Sequence, residues 1–342
     1  MQCFDEHGKI VILTVKYSMY VAAGAVCLRF MAYCCMHYIL CAKSDTEVSA
    51  GVDRVIIIQQ EAVMNQKNVK ECRRKGKQTM ADLADRHVLY EKSVQCVASE
   101  YKFVSKTFRK LRKRKARHLR EDFCGTAGMC CEWVKRKPDH TAVGVDIDGD
   151  VLDWGREHNL SRLKPGAHLR VSLLQEDVCK VTTPEPVDVV LAMNFSYQIF
   201  KTREQLGGYF RQVLKGLADD GVLFMDAFGG YESFKEIKEK RKLKGFKYIW
   251  EHAKYNPISG EILCHIHFSF PDGSKMKKAF TYDWRLWTLP ELQELLTEAG
   301  FSRVQVYWEQ TDDETGEGTG KYKPATVGEA DPGWVCFLVA EK

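Results

Sequence analysis

A short run of the chain, Leu119-Arg-Glu-Asp-Phe-Cys-Gly-Thr-Ala-Gly128, sets an apolar strand pattern against two glycines and the start of a helical pattern. Gly125 and Gly128 suit a sharp backbone bend that a ligand must approach without a side chain in the way. The run is not GxGxxG, the fuller pattern that seats a pyrophosphate on a helix N-terminus. It therefore suits a ligand that presents no phosphate. Two later acids fit one. Asp146 ends the next apolar run about twenty residues on, where a carboxylate can accept both hydroxyls of a ribose. Asp177, in Gln-Glu-Asp-Val, ends the third and can face an adenine amino group. Any one of these acids alone would read as a solvated strand cap; the ordered set points to a nucleoside-bearing ligand.

Elements that alternate between strand and helix must carry these residues. Strand patterns are expected at His118–Phe123, Thr141–Asp146, Leu169–Gln175, Val187–Asn194 and Val222–Phe228. Helices are expected at 128–137, at 150–161 and around Leu206, Phe210, Val213 and Leu217. The run VDVVLAMN is apolar on both faces, as a central parallel strand is. The fold class is thus α/β, with a doubly wound parallel sheet. A single long helical pattern, 81–117, leads into it. After Phe228 the rhythm changes. Ile262, Cys264, Ile266, Phe268 and Phe270 alternate with more polar neighbours, Pro271-Asp272-Gly273 marks a turn, and 277–287 runs back. An antiparallel ribbon at about 246–287 is expected from this. Thr288 to Glu291 makes a capping box for a helix that stops at Gly300, and two strands, 304–308 and 334–340, flank an acidic loop, 309–331.

Taken together, these motifs resemble class I S-adenosylmethionine-dependent methyltransferases. EDFCGTAG is similar to their first motif, GVDID at 144–148 to their second, LQEDV at 174–178 to their third and VDVVLAMNFSY at 187–197 to their fourth. The resemblance covers about Tyr90 to Glu341 and implies a Rossmann-like seven-stranded sheet in the order 3-2-1-4-5-7-6, with S-adenosyl-L-methionine as cofactor. It implies that Glu121 reaches the methionine amino group and that Phe123, Cys124, Gly125 and Thr126 line the methionine moiety. Asp146 and Ile147 would hold the ribose side, Asp177 and Val178 the adenine. Asn194 would lie by the reacting centre. Ala127 departs from the pattern, standing where the family usually has glycine; alanine fits there if its φ is negative.

Methyl transfer from a sulfonium asks mainly for alignment, the acceptor lone pair ~3–3.5 Å from the methyl carbon. Asn194, Tyr197 and Tyr90 are the candidates for positioning the acceptor, and Tyr231, Trp284 and Arg285 for binding it. Phe195, Ser196, Phe228, Gly229, Tyr282 and Trp287 occupy the same loops and ribbon. Ordinary core packing competes with function for each aromatic, and a structural salt bridge competes for Arg285. The expected acceptor is a small molecule, methylated on N or O. Three alternatives stand beside it: methylation of RNA or protein, with the basic stretch 106–120 touching RNA phosphates; a non-catalytic member of the fold; and an NAD-dependent oxidoreductase. A missing third glycine and the reversed final pair of strands disfavour the last.

Composition sets the outer bounds. The chain has 342 residues and a net charge of +5, too mild to indicate nucleic acid by itself. Its thirteen cysteines are odd in number and irregularly spaced, without a paired CxxC, which suits reduced intracellular thiols and no metal site. His265 and His267 share one strand face but have no third ligand close in sequence. A catalytic domain over 80–342 would follow an N-terminal extension, 1–79, with a polar linker from Asp45 to Gln78. The apolar segment 18–42 carries Arg29 and His37, so it suits a membrane anchor, an organelle-targeting segment or an unstructured extension. Without such a role, the expected location is cytoplasmic.

Overall fold

A computed structural model describes residues 78–312, 314–315 and 318–342, together with the backbone of 2–4 and 10–12. The segment 18–42 and most of the linker lie outside the described residues. The chain divides into two units, Tyr17–Asp82 and a larger one formed by Met1–Lys16 with Leu83–Lys342. In the smaller unit, Thr79 donates through its N–H and its hydroxyl to Asp82 Oδ2, capping a one-turn helix α1 (Met80–Leu83).

In the larger unit, β1 (Gln2–Phe4) and β2 (Ile10–Ile12) form a small antiparallel pair. The long helical pattern that follows is broken into α2 (Arg86–Val94) and α3 (Val97–Arg112). Asp85 caps α2 by accepting from the N–H groups of His87 and Val88, and Gln95-Cys96 leaves helical geometry between the two. The alternation then runs through β3 (His118–Asp122), α4 (Gly128–Arg136), β4 (Thr141–Asp146), α5 (Gly149–His158), β5 (Val171–Gln175), β6 (Val187–Ala192), α6 (Arg203–Gly216) and β7 (Leu217–Gly229). Strands β5-β4-β3-β6-β7 are parallel neighbours. Every residue of β6 is buried, as its uniformly apolar sequence requires.

Four antiparallel strands follow: β8 (Lys238–Leu243), β9 (Phe246–Tyr255), β10 (Glu261–Ser269) and β11 (Lys275–Arg285), in the order β11-β10-β9-β8. The expected ribbon is thus a complete four-stranded sheet. Its first strand falls in the lysine-rich stretch 238–243, where alternate residues are exposed. Helix α7 (Leu289–Ala299) has the expected capping box and ends at Gly300 with φ 107°. β12 (Arg303–Thr311), β13 (Gly318–Ala325) and β14 (Trp334–Glu341) complete the main sheet, β13-β12-β14-β7-β6-β3-β4-β5. Seven of its strands, β5-β4-β3-β6-β7-β14-β12, keep the expected arrangement. The eighth, β13, forms inside the stretch expected to be an acidic loop and pairs on β12 through Val306 to Ala325 and Tyr307 to Pro324.

Two apolar layers enclose the sheet. Tyr209, Phe210, Val213, Leu292, Leu295 and Leu296 of α6 and α7 pack on one face. Val104 and Phe108 of α3 and Met129, Trp133 and Val134 of α4 pack on the other. Layers of this kind hold the strand tips rigidly, so side chains placed there have little freedom. The inserted sheet adds a third cluster, in which Ile262, Cys264 and Trp284 pack against Phe195 and Phe228. That contact sets the insert over the tips of β6 and β7. Among the described residues, no helix is long and apolar enough to cross a membrane.

Candidate active site

Alternation along β3 divides its charges between the two faces of the sheet. Arg120 and Asp122 point into the layer under α6, where they pair at 2.9 Å and Asp122 accepts from the Tyr209 hydroxyl at 2.9 Å. Glu121 points the other way, toward α4, and its Oε2 accepts from Cys130 N at 3.1 Å. Burial pushes the Glu121 carboxyl up to about 7, against the lowering effect of the Cys130 hydrogen bonds. A carboxylate so placed favours any cation brought beside it.

The turn after β3 binds directly to the tip of β4. Gly125 N–H donates to Asp146 Oδ2 at 2.8 Å, and Asp148 N–H donates to Oδ1 at 3.0 Å. Each oxygen keeps a further lone pair, so the carboxylate can still accept two hydroxyls. Gly125 has φ 51°, and a Cβ there would meet nothing within 4 Å, which leaves the space above the turn open. Gly155 of α5 lies against the same turn so closely that a Cβ would fall 2.7 Å from the Thr126 carbonyl oxygen. Thr126 Oγ1 donates to Glu91 Oε1 at 2.7 Å, and Asn159 Nδ2 donates to the same oxygen at 2.7 Å. Helix α2 is thereby fastened to the glycine turn.

Backbone strain gathers at these tips. Phe123, Ala127, Asn194 and Phe195, four of the six non-glycine residues with positive φ among the described residues, follow β3 and β6. Ala127 has φ 58° and is fully buried. The negative φ that would have suited alanine is not adopted; the turn keeps the left-handed geometry of glycine, at a cost of ~1–2 kcal/mol. Asn194 and Phe195 are held by Asp226 of β7, whose Oδ2 and Oδ1 accept their N–H groups at 3.0 and 2.9 Å.

The remaining expected residues are placed as follows. Cys124 and Val178 are buried, and Ile147 is exposed beside Asp146. Asp177 stands past the tip of β5 and accepts from Cys179 N at 2.9 Å. The positions expected to meet adenosine and methionine thus all occur at the carboxyl ends of β3 to β6, where open α/β sheets bind ligands. Of the residues expected to meet the acceptor, Tyr90, Asn194 and Trp284 line one pocket. Three other candidates are placed elsewhere. Tyr197 is fully buried in the core under α6. Tyr231 is exposed, with Lys235 Nζ over its ring at 5.4 Å. Arg285 stacks on Trp287 at 3.7 Å and donates to Glu291 and to the Lys201 carbonyl oxygen.

Several further residues line the site, most without an obvious mark in the sequence. Glu100 of α3 and Asp226 line a smaller pocket that shares Val94, Asn194, Phe195 and Val335 with the larger one. Burial first, and then Glu121 and Asp226, push Glu100 up to about 8; burial pushes Asp226 up to about 6. Asp226 carried a signal, a lone acid within the apolar run VLFMDAF. Tyr248, Trp250 and His252 of β9 gave none, because the alternation that marks the ribbon is clear only from Ile262 onward. Of the nine lysines and arginines in the stretch 106–120, Arg112, Arg114, Arg117 and Arg120 make ion pairs within the protein, while Lys106, Arg109, Lys110, Lys113 and Lys115 are exposed. Arg112 pairs with Glu341, Arg114 with Asp188 and Asp220, and Arg117 with Asp139.

No family model and no curated protein matches this sequence. Solved structures do. An S-adenosylmethionine-dependent methyltransferase from Clostridium acetobutylicum is 14% identical, with 75% of this chain and 96% of that one covered, at a TM-score of 0.55. CalS10, an amino pentose methyltransferase from Micromonospora echinaspora, is 16% identical, covering 75% and 95% at 0.53. DesVI from Streptomyces venezuelae is 18% identical, covering 77% and 98% at 0.54. The described chain from β3 onward has the fold of class I S-adenosylmethionine-dependent methyltransferases.

Proposed function

We propose that this chain is an S-adenosylmethionine-dependent methyltransferase that methylates an N or O atom of a small molecule. One observation carries the reading. Glu121, Asp146 and Asp177 stand at successive strand tips around the Gly125 turn, and Asp146 fixes that turn while keeping lone pairs to spare. S-adenosylmethionine supplies an electrophilic methyl group on a sulfonium. The residues at hand suit its parts: an acid for the ammonium, a carboxylate for the ribose hydroxyls, and the exposed Ile147 beside the ribose position. Asn194 and Tyr90 adjoin the acceptor pocket and position the acceptor. The inserted sheet packs over the tips of β6 and β7.

A small acceptor is favoured over RNA because neither pocket at the strand tips is lined by a lysine or arginine among the described residues, and the larger is walled by rings of α2 and the inserted sheet. The test is a thermal-shift titration with S-adenosylmethionine, S-adenosylhomocysteine, NAD and NADP. Stabilisation by the first two supports the reading. Stabilisation by the nicotinamides alone overturns it.

A further inference from the structure

The acceptor pocket has a chemical bias that its fold does not require. Its walls are Tyr90 of α2 with Tyr248, Trp250, Tyr282 and Trp284 of the inserted sheet. The rings lie close, Tyr282 to Trp284 at 4.4 Å and Trp250 to Tyr282 at 5.9 Å. Tyr90 of α2 and Tyr282 of β11 come together in this wall, between helix and insert. Among the described residues, no lysine or arginine lines this pocket or the smaller one beside it, although the chain as a whole carries a net charge of +5. The ionisable carboxyls that line the two are Glu232 and Glu239 in the larger, Glu100 and Asp226 in the smaller. Glu232 pairs with Lys235 at 3.3 Å, whereas Glu239 makes no ion pair with a described residue.

His252 adds an independent sign of a ligand. It lines the same pocket, it is 9% exposed, and its Nδ1 has no hydrogen-bond partner among the described residues. Burial lowers its pKa, so it adds no standing positive charge near neutral pH. Electron-rich ring faces attract a cation, and desolvation strengthens that attraction. A carboxylate at the rim strengthens it further, whereas an anionic acceptor would find no countercharge.

We propose that this pocket selects an amine, drawn in as its ammonium with an apolar body against the rings, and that Glu239 contributes the charge and takes the ammonium proton, so that the nitrogen lone pair is free to meet the methyl group. The inference deepens the methyltransferase reading by naming the acceptor class. The experiment is calorimetric titration of the full chain, saturated with S-adenosylhomocysteine, with four probes of similar shape: benzylamine, benzyltrimethylammonium, benzyl alcohol and benzoate. The two cations are expected to bind about tenfold more tightly than the alcohol, and benzoate not measurably. Glu239→Gln is expected to weaken both cations about fivefold without changing S-adenosylhomocysteine affinity, and Trp250→Leu to weaken them as well. Equal or tighter binding of the alcohol or benzoate, or no binding of either cation at millimolar concentration, overturns the inference. Either result leaves the methyltransferase reading intact, because S-adenosylhomocysteine binding is measured separately. Loss of that binding alone would overturn the other reading.

Discussion

The N–H of Gly125 is bound at 2.8 Å by Asp146, twenty-one residues away on the neighbouring strand. The glycine turn and the carboxylate expected to hold the ribose are therefore one unit. Asp146→Ala removes the ribose acceptor and frees the Gly125 N–H together. Calorimetry should show at least about a tenfold loss of S-adenosylhomocysteine affinity, since one charge-assisted hydrogen bond is worth ~1.5–3 kcal/mol. Unchanged affinity would show that Asp146 does not hold the ribose. Asp146→Asn retains an oxygen acceptor and should fall between the two.

Stability should depend on pH in an unusual direction. Glu100, Glu121 and Asp226 bind their protons more tightly folded than unfolded, with folded values of about 8, 7 and 6. Their neutral forms favour the fold fully below the unfolded carboxylate range, ~4. As pH rises through the folded values the unfolded chain releases those protons first, so stability falls between about pH 4 and pH 8. Thermal midpoints of the ligand-free protein should decline across that window. Glu100→Gln should flatten the upper part of it, and a midpoint rising toward pH 8 would contradict the buried-acid account.

The sequence made some of this legible and concealed the rest for identifiable reasons. Strand tips could be placed because β6 is apolar on both faces and Asp146 and Asp177 interrupt apolar runs. Strand β13 was hidden because an edge strand such as GTGKYKPA needs no apolar alternation to pair on one side. Glu100 was hidden because a helix charge reads as exposed until its neighbours close over it. Tyr197 looked functional next to Asn194, yet the turn after β6 carries it into the core under α6. Three residues of sequence separation across a tight turn decide between pocket and core, and periodicity does not resolve it.

The pair Arg120–Asp122 is wholly buried, with 0% exposure of either side chain. Removing one partner leaves an uncompensated charge, so Asp122→Ala should cost ~3–5 kcal/mol. Tyr209→Phe, which deletes one hydrogen bond to Asp122, should cost ~1–3 kcal/mol. Gly216→Ala should also destabilise, because a Cβ there would stand 2.6 Å from Arg120 Nη1. Chemical denaturation checks all three. A neutral Asp122→Ala would mean that the guanidinium finds water in the variant.

Trp284 and Arg285 are adjacent on β11 but serve opposite sides of it. Trp284 is buried and lines the aromatic pocket, 6.5 Å from the Phe195 ring. Arg285 holds the start of α7 to the chain before α6, through Glu291 at 2.9 Å and the Lys201 carbonyl oxygen at 3.0 Å. Trp284→Phe preserves an aromatic face but shortens it, so acceptor KM should rise while S-adenosylhomocysteine affinity holds. Arg285→Met keeps apolar contact with Trp287 but loses both polar contacts, so it should cost ~1–2 kcal/mol of stability. Its acceptor KM should stay near the parent value. If Arg285→Met raised KM with unchanged stability, the guanidinium would face the acceptor, and the division of labour along β11 would be reversed.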